Sequence, residues 1–272
     1  MSMRVTEKTA RSVITKSNLP AADYVINPYV GCSHACRYCY ARFMSRFSGH
    51  EEPWGRYVDV KVNAADLIPE TGDKYRGKSV FMSSVTDPYL HVEREYGLTR
   101  RILEKIVRLE PFLGIQTKSG LIARDIDILR RFDNCEAGLT VTTLDDAVRR
   151  EIEPGASSVS ERLAALRALH DSGIRTYAFI GPVMPGLTDW RSIIEGTRAY
   201  VDFYMIENLN MSGAVRESVM SWLRAKRAGL VPEYGRIYGS RNDYWDRVEG
   251  EIRDYCRERG IDGRLFFHHG GR

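Results

Sequence analysis

Three cysteines within one short stretch, Cys32, Cys36 and Cys39, constrain this chain of 272 residues more than any other feature. Their C-x3-C-x2-C spacing lies in the run Asn27-Pro28-Tyr29-Val30-Gly31-Cys32-Ser33-His34-Ala35-Cys36-Arg37-Tyr38-Cys39-Tyr40. Gly31 and the small residues Ser33 and Ala35 let the backbone fold into a tight loop, so three thiolates can point at one centre. Three soft ligands suit an iron–sulfur cluster or zinc. Structural zinc asks for four ligands, and would need His34 or a remote residue to complete the set. A [4Fe–4S] cluster held by three cysteines keeps one iron open to a further ligand. Buried structural cysteines are the remaining reading.

Composition narrows the setting. Five cysteines, an odd number with three in one motif, argue against a disulfide scaffold and for a reducing, cytoplasmic environment. Cys135 and Cys256 are left over and read as buried structural residues. With 43% hydrophobic and 28% charged residues, the chain reads as one large globular domain with a sizeable core. It contains no apolar run of the roughly 18 residues that a membrane helix needs, and its first residues lack the apolar core of a secretory signal. The net charge of +4 permits a nucleic-acid partner without indicating one.

The cysteine triad, with Tyr38 just before its last member, resembles that of the radical S-adenosylmethionine (SAM) enzymes. The longer run N-P-Y-x-G-C-x-H-x-C-x-Y-C-Y-A-R resembles the subgroup related to spore photoproduct lyase. The stretch I-T-K-S-N-L-P, the cysteine motif and the following E-P-W-G resemble proteins called radical SAM mobile pair protein B. The resemblance covers roughly residues 11 to 210. It implies a [4Fe–4S] cluster on Cys32, Cys36 and Cys39, whose open iron binds the amino and carboxylate groups of SAM. Reductive cleavage then gives a 5′-deoxyadenosyl radical that abstracts hydrogen from a substrate. It also implies an electron donor such as flavodoxin or ferredoxin, and a second radical SAM protein as partner.

Periodicity supplies the scaffold. Residues 1 to 22 read as an N-terminal strap, with turn chemistry at Lys16-Ser17-Asn18-Leu19-Pro20. A strand over 23–27 delivers the cysteine loop, a helix spans 41–47, and an accessory strand and turn occupy 57–65. Strands at 79–84, 112–117, 137–141, 174–180 and 202–207 then alternate with helices at 98–109, around 122–129, 159–170, 190–200 and 214–228. Six strand-to-helix units make an α/β fold with a parallel sheet. The resemblance selects a partial (β/α)6 TIM-type barrel with the [4Fe–4S] loop after the first strand, a radical SAM core over 23–228. Residues 229–272 read as an extension with a loop at 231–235, a helix near 244–259 and a short run at 265–267, placed to close the barrel mouth.

In parallel α/β folds ligands sit at the carboxyl ends of the strands. Polar residues follow the apolar runs here: Ser84-Val85-Thr86-Asp87, Thr117-Lys118-Ser119, Thr140-Val141-Thr142, Gly181-Pro182 and Glu207-Asn208-Leu209-Asn210. For SAM, an acceptor such as Asp87 suits the ammonium and the cation Lys118 the carboxylate. By similarity to the photoproduct-lyase subgroup, Thr86 and Asp87 meet the amino acid end and Thr140 the ribose or carboxylate side. Tyr38 and Tyr40 flank the adenosyl group, and the backbone at Gly181 reaches adenine. His34 is expected to brace the loop by a hydrogen bond. Glu153-Pro154-Gly155 with Arg162 resembles a family motif, as an ion pair or a cofactor contact.

Photoproduct lyases place a hydrogen-donating cysteine where this chain has Val85, which argues against that repair reaction. Two other classes stay open. An iron–sulfur redox sensor or binding module would keep the cluster without turnover. A zinc-stapled nucleic-acid protein would use Arg224, Lys226, Arg227, Arg236 and Arg241, yet from Ser212 onward 12 Lys and Arg face 9 Asp and Glu, too dilute for a phosphate-binding stripe. His268 and His269, beside the terminal apolar run, have no assigned role.

Overall fold

The computed structural model describes residues 3–19, 22–240 and 242–268; the expectations on Pro20, Arg241 and His269 lie outside them. The strands, in chain order, are β1 (Arg4–Lys8), β2 (Ile14–Lys16), β3 (Tyr24–Ile26), β4 (Tyr29–Gly31), β5 (Tyr57–Lys61), β6 (Ser79–Met82), β7 (Phe112–Thr117), β8 (Cys135–Thr140), β9 (Arg175–Val183), β10 (Phe203–Asn208) and β11 (Gly263–Phe266). The α-helices are α1 (Ser45–Ser48), α2 (Glu93–Tyr96), α3 (Leu98–Ile106), α4 (Ile126–Leu129), α5 (Asp146–Ile152), α6 (Val159–Asp171), α7 (Trp190–Thr197), α8 (Gly213–Lys226), α9 (Val231–Gly239) and α10 (Tyr244–Glu258).

Among the described residues the main sheet runs β11-β10-β9-β8-β7-β6-β3-β2, parallel throughout except for the antiparallel edge pair β2–β3. The six expected strands are its contiguous middle. β2 and β11 do not pair with each other, so the sheet stays open as a partial barrel. A smaller sheet, β1-β5-β4, carries the chain from β3 into the cysteine loop. The stretch read as a strap therefore contains strands: β1 pairs parallel with β5, and β2 antiparallel with β3.

The core forms where helix and strand periodicities agree. In α3, Leu98, Ile102, Leu103 and Ile106 are all fully buried, each a side chain worth about 1.5–3 kcal/mol when removed from water. Val80, Met82, Ile115, Leu139, Ala178 and Ile180 meet them from the strands. A second apolar cluster lies under α8 and α9, where Leu209, Val219, Leu223 and Tyr234 pack with Ile152 and Met184. Tyr38 packs against that cluster, tying the C-terminal helices to the cysteine loop.

Three local expectations change. The loop expected at 231–235 is helix α9, because Pro232 sits in the first turn, where a missing N–H costs nothing, and Tyr234 and Ile237 are buried. The helix expected around 122–129 is a 3-10 segment, Gly120–Asp125, followed by the single turn α4. Helix α5 was not expected, although Asp145 caps it by accepting from Ala147 N–H at 2.7 Å and Val148 N–H at 3.3 Å. Leu265 and Phe266, read as part of an extension, lie in β11, which pairs with β10 from Tyr204↔Gly263 to Glu207↔Phe266. The parallel register brings Ser83, Lys118, Val141, Met184 and Leu209 to one edge of the sheet, the edge that the cysteine loop covers.

Candidate active site

The cysteine loop is fastened on both flanks. At its start Gly31 has φ 83° and its carbonyl accepts from the Thr86 hydroxyl at 2.5 Å. Asn27, at the end of β3, accepts from Ser84 N–H at 3.0 Å and Val85 N–H at 3.2 Å, which clamps the loop after β6. On the other flank the cysteine loop lies on the turn after α5. Arg37 N–H donates to Ile152 O at 2.8 Å and Gly155 N–H to His34 O at 3.1 Å. The approach is so close that a Cβ on Gly155 would fall 2.0 Å from Ser33 O, so only glycine fits.

His34 joins the two flanks. It is buried, with Nδ1 at 3.0 Å from Gly155 O and Nε2 at 3.1 Å from Asp87 Oδ2. This is the brace expected from the sequence. Asp87 also accepts from the Thr117 hydroxyl at 2.6 Å, Lys118 N–H at 2.9 Å and Tyr89 N–H at 2.8 Å. Burial pushes its carboxyl up, but the His34 charge and these donors outweigh it and hold the pKa at about 2. These protein donors make Asp87 a brace of the strand ends.

Cys32 and Cys36 are buried, Cys39 is partly so, and none is in a disulfide. Burial raises all three thiols, Cys36 to about 12, while the Lys118 cation pulls Cys36 and Cys39 partway back. Among the described residues no three His, Cys, Asp or Glu side chains converge as ligands of one ion. A cluster asks for something else: each thiolate binds a different iron, so its cysteines stand farther apart.

Lys118, at the end of β7, places its ammonium 3.3 Å from Thr140 Oγ1 and 5.7 Å from the centre of the Tyr38 ring. Burial lowers its pKa, but Cys36, Glu153 and Asp87 outweigh that and leave it raised, so the cation is kept. Thr140 is fully buried; its carbonyl accepts from Arg162 Nη1 at 2.9 Å. Glu153 and Arg162 form a buried ion pair at 2.5 Å, and the Glu153 carboxylate also accepts from the Tyr38 hydroxyl and, at 3.0 Å, from the Thr142 hydroxyl. The family-like E-P-G stretch thus holds the cysteine loop through Tyr38. Thr142 also donates to Gly181 O at 3.2 Å, which places Gly181 within the same network.

Tyr40 is 59% exposed, and its hydroxyl donates to Ser84 O. Burial of its hydroxyl end, with the Cys39 and Glu207 charges, pushes its pKa to about 12. Glu207 Oε1 lies 3.0 Å from His268 Nε2, and buried Asn208 pins the His268 main chain, accepting from its N–H at 2.7 Å and donating to its carbonyl at 3.0 Å. Sequence reading marked 207–210 by position after a strand but did not foresee this clamp, since it depends on β11. Asn27 was missed as well; its only signal is an Asn-Pro step at a strand end. Cys135 opens β8 at the opposite end from Thr140, about 16 Å away at strand rise, and Cys256 is buried in α10. Neither reaches the mouth.

The radical SAM superfamily model matches residues 26–195, the span from the end of β3 through most of α7. The chain belongs to the radical SAM superfamily. It is 40% identical over 205 residues to an uncharacterized protein of Methanocaldococcus jannaschii, covering 75% of this chain and 77% of that one. It is 28% identical over 213 residues to the radical SAM Nalpha-GlyT isomerase of Pseudomonas phage M6, covering 76% of this chain and 42% of the phage protein. A solved spore photoproduct lyase mutant with bound AdoMet and dinucleoside spore photoproduct shares the fold at a TM-score of 0.69 and 18% identity, covering 97% of this chain and 82% of that one.

The cofactors of this superfamily are a [4Fe–4S] cluster and SAM, and the residues present fit them. Three unbridged thiols, two buried and one partly so, with the cations Lys118 and Arg42 acting on Cys36 and Cys39, match the charge of a thiolate-held cluster. Next to Cys32, Ser33 Oγ is buried without a partner among the described residues, a polar atom of the kind a bound polar cofactor satisfies. Among the described residues no helix is long and apolar enough to cross a membrane.

Proposed function

We propose that this radical SAM enzyme abstracts hydrogen from a substrate held over the open mouth, with Cys32, Cys36 and Cys39 as cluster ligands. The observation that carries the reading is the double anchoring of the cysteine loop, by Thr86 and Asn27 on one side and by Gly155 on the other, around three unbridged thiols. When bound, the cluster and SAM supply an electron and a 5′-deoxyadenosyl radical. The chain's own side chains position and shield. Lys118 receives the SAM carboxylate beside Thr140, Tyr38 and Tyr40 bound the adenosyl space, and the Gly181 backbone lies toward adenine. Asp87 and Thr86 act through the backbone they hold, keeping Lys118 and Gly31 in place.

Photoproduct repair is disfavoured because Val85 fills the donor position and Cys135 and Cys256 lie elsewhere. The substrate class is open; the phage relative is named an isomerase of Nalpha-GlyT, and nucleic acid remains a candidate. The reading places the enzyme in a reducing, cytoplasmic setting with a flavodoxin or ferredoxin as electron donor and a paired radical SAM protein as partner. It divides the chain into a strap (1–22), a core (23–228) and a mouth-closing extension (229–272), in which His268 has a place beside Glu207. The test is anaerobic reconstitution with iron and sulfide, followed by reduction with SAM. Production of 5′-deoxyadenosine, lost in Cys36→Ala, supports the enzyme. A cluster without cleavage, in the presence of a competent reductant, favours a redox sensor, and zinc without cluster overturns the reading.

A further inference from the structure

The segment that follows the last cysteine exposes aromatic rings where the rest of the surface does not gather them. Tyr40, Phe43 and Phe47 are 59%, 41% and 75% exposed, while the other exposed large apolar side chains among the described residues, Val5, Leu19, Phe112, Leu144 and Phe266, are scattered along the chain. Single exposed apolar residues are ordinary, but a contiguous run of three marks a contact surface. Local structure explains the run. Residues 40–44 form a 3-10 turn that continues into α1, so positions three and four apart stack on one another. Ala41, Met44 and Ser48 form the stripe that packs inward, and the Tyr57 hydroxyl donates to Ser45 Oγ at 3.2 Å, holding the turn against β5. The stripe one residue earlier, Tyr40, Phe43 and Phe47, is left outward.

Charge of one sign accompanies the rings. Between Cys36 and His50 the chain carries Arg37, Arg42 and Arg46 and no acidic residue. Arg42 Nη2 donates to Cys36 O at 3.1 Å, which sets its charge on the cysteine loop, and Arg37 and Arg46 are exposed. Cys39 is the one cysteine of the three that reaches the surface, and the aromatic stripe starts at the next residue.

We propose that Phe43 and Phe47, with Arg37, Arg42 and Arg46 around them, form the docking face for an acidic electron-carrier protein that reduces the cluster. Redox encounters are small and short-lived, so two rings and a basic rim suffice: the arginines steer an acidic carrier in, and the rings exclude water from the contact. The place fits the task, because an electron has to enter where a cluster ligand comes to the surface. A nucleic acid fits less well, since two exposed arginines neutralise too few phosphates. On docking the carrier is oxidised by one electron and the cluster reduced by one, and no bond forms or breaks. The docking face rests on the cluster ligation proposed above.

The test uses the full chain loaded with cluster, an acidic flavodoxin as probe, and the variants Phe47→Ser and Arg46→Glu, with Phe112→Ser, an exposed ring at the far end of β7 from Lys118, as control. Flavodoxin affinity is measured by calorimetry at low and high salt, and 5′-deoxyadenosine formation is measured with reduced flavodoxin and with dithionite, which needs no docking face. Phe47→Ser and Arg46→Glu should each weaken flavodoxin binding about 10-fold and slow flavodoxin-driven cleavage to match, while dithionite-driven cleavage stays at the wild-type rate. Arg46→Glu should also flatten the loss of affinity with salt. Binding that both variants leave unchanged, or that Phe112→Ser weakens as much, overturns the proposal, as does an equal loss of cleavage with the two reductants. Weakened binding of a labelled single-stranded oligonucleotide, with flavodoxin binding intact, assigns the face to nucleic acid and overturns it as well. Wild-type protein that dithionite drives but flavodoxin neither binds nor drives overturns the docking face and leaves the enzyme reading standing, whereas wild-type protein that takes up no cluster overturns both.

Discussion

Glu153 and Arg162 meet at 2.5 Å with both side chains fully buried, and the carboxylate of this pair also receives the hydroxyl of Tyr38 from within the cysteine motif. A charge so placed is tolerable only while paired. Burial raises the Glu153 pKa, but Arg162 and Lys118 outweigh it and hold it below the ordinary range.

Removing one partner should therefore cost more than removing both. Arg162→Leu leaves a buried carboxylate facing Tyr38 and Thr142 alone and is expected to destabilise by about 3–5 kcal/mol. The double variant Arg162→Leu/Glu153→Gln keeps an acceptor for both hydroxyls and should recover most of that loss. Denaturant midpoints of the single and double variants decide the matter; equal losses would show that the pair contributes packing and not charge balance.

Gly155→Ala tests the seam between the cysteine loop and the turn after α5. The added methyl would stand 2.0 Å from Ser33 O, a backbone atom that cannot rotate away. Residues 33 and 34 must move, and the His34 bonds to Gly155 and Asp87 with them. Iron and sulfide per chain after reconstitution should fall well below wild type, while far-ultraviolet circular dichroism stays near it. Full cluster content in this variant would mean that the seam is not what positions the thiols.

The pH dependence of stability should carry the mark of Asp87. Its carboxyl is held at about 2 in the folded protein against an ordinary value of 3.8, because His34, Thr117 and Lys118 outweigh burial. A group whose pKa is depressed on folding contributes stability in full above its unfolded value, and that contribution is lost as pH falls through the folded value. Here that amounts to about 2 kcal/mol, present above about pH 4 and fading toward pH 2. Asp87→Asn should flatten the difference between pH 5 and pH 2.5 in urea melts relative to wild type; a parallel decline in the two proteins would place the acid sensitivity elsewhere.

Much of this architecture is written in local pattern. Strand 112–117 is found where alternation places it, and the Cys32–Cys36–Cys39 loop is bounded by the residues whose smallness permits it. What could not be read depends on partners remote in sequence. The brace at Asp87 is made by His34, Thr117 and Lys118, which the fold brings to it from two other segments. Helix α9 is stabilised by burying Tyr234 against α8, so V-P-E-Y-G reads as a turn until the packing is known. His268 looks like a free tail residue because nothing local announces that β11 joins β10 and that Asn208 holds its main chain from both sides.

Lys118 is where the cofactor reading is most exposed to test. Its ammonium is held between Thr140 Oγ1 at 3.3 Å and the face of Tyr38, and the surrounding Cys36, Glu153 and Asp87 keep it charged against the cost of burial. Thr140 offers it a neutral acceptor, and the other protein anions act on it through the field, so a bound carboxylate would give it a charge-assisted bond. Such a bond contributes about 1.5–3 kcal/mol, which corresponds to a loss of about 10- to 100-fold in SAM affinity for Lys118→Met. Equilibrium binding to cluster-loaded protein measures it, with Lys105→Met, whose ammonium pairs with exposed Asp66 on α3's outer side, as the control for net charge. The two variants change the charge equally. Equal, small losses would reduce Lys118 to a general electrostatic role, whereas a loss confined to Lys118→Met places the carboxylate at the end of β7.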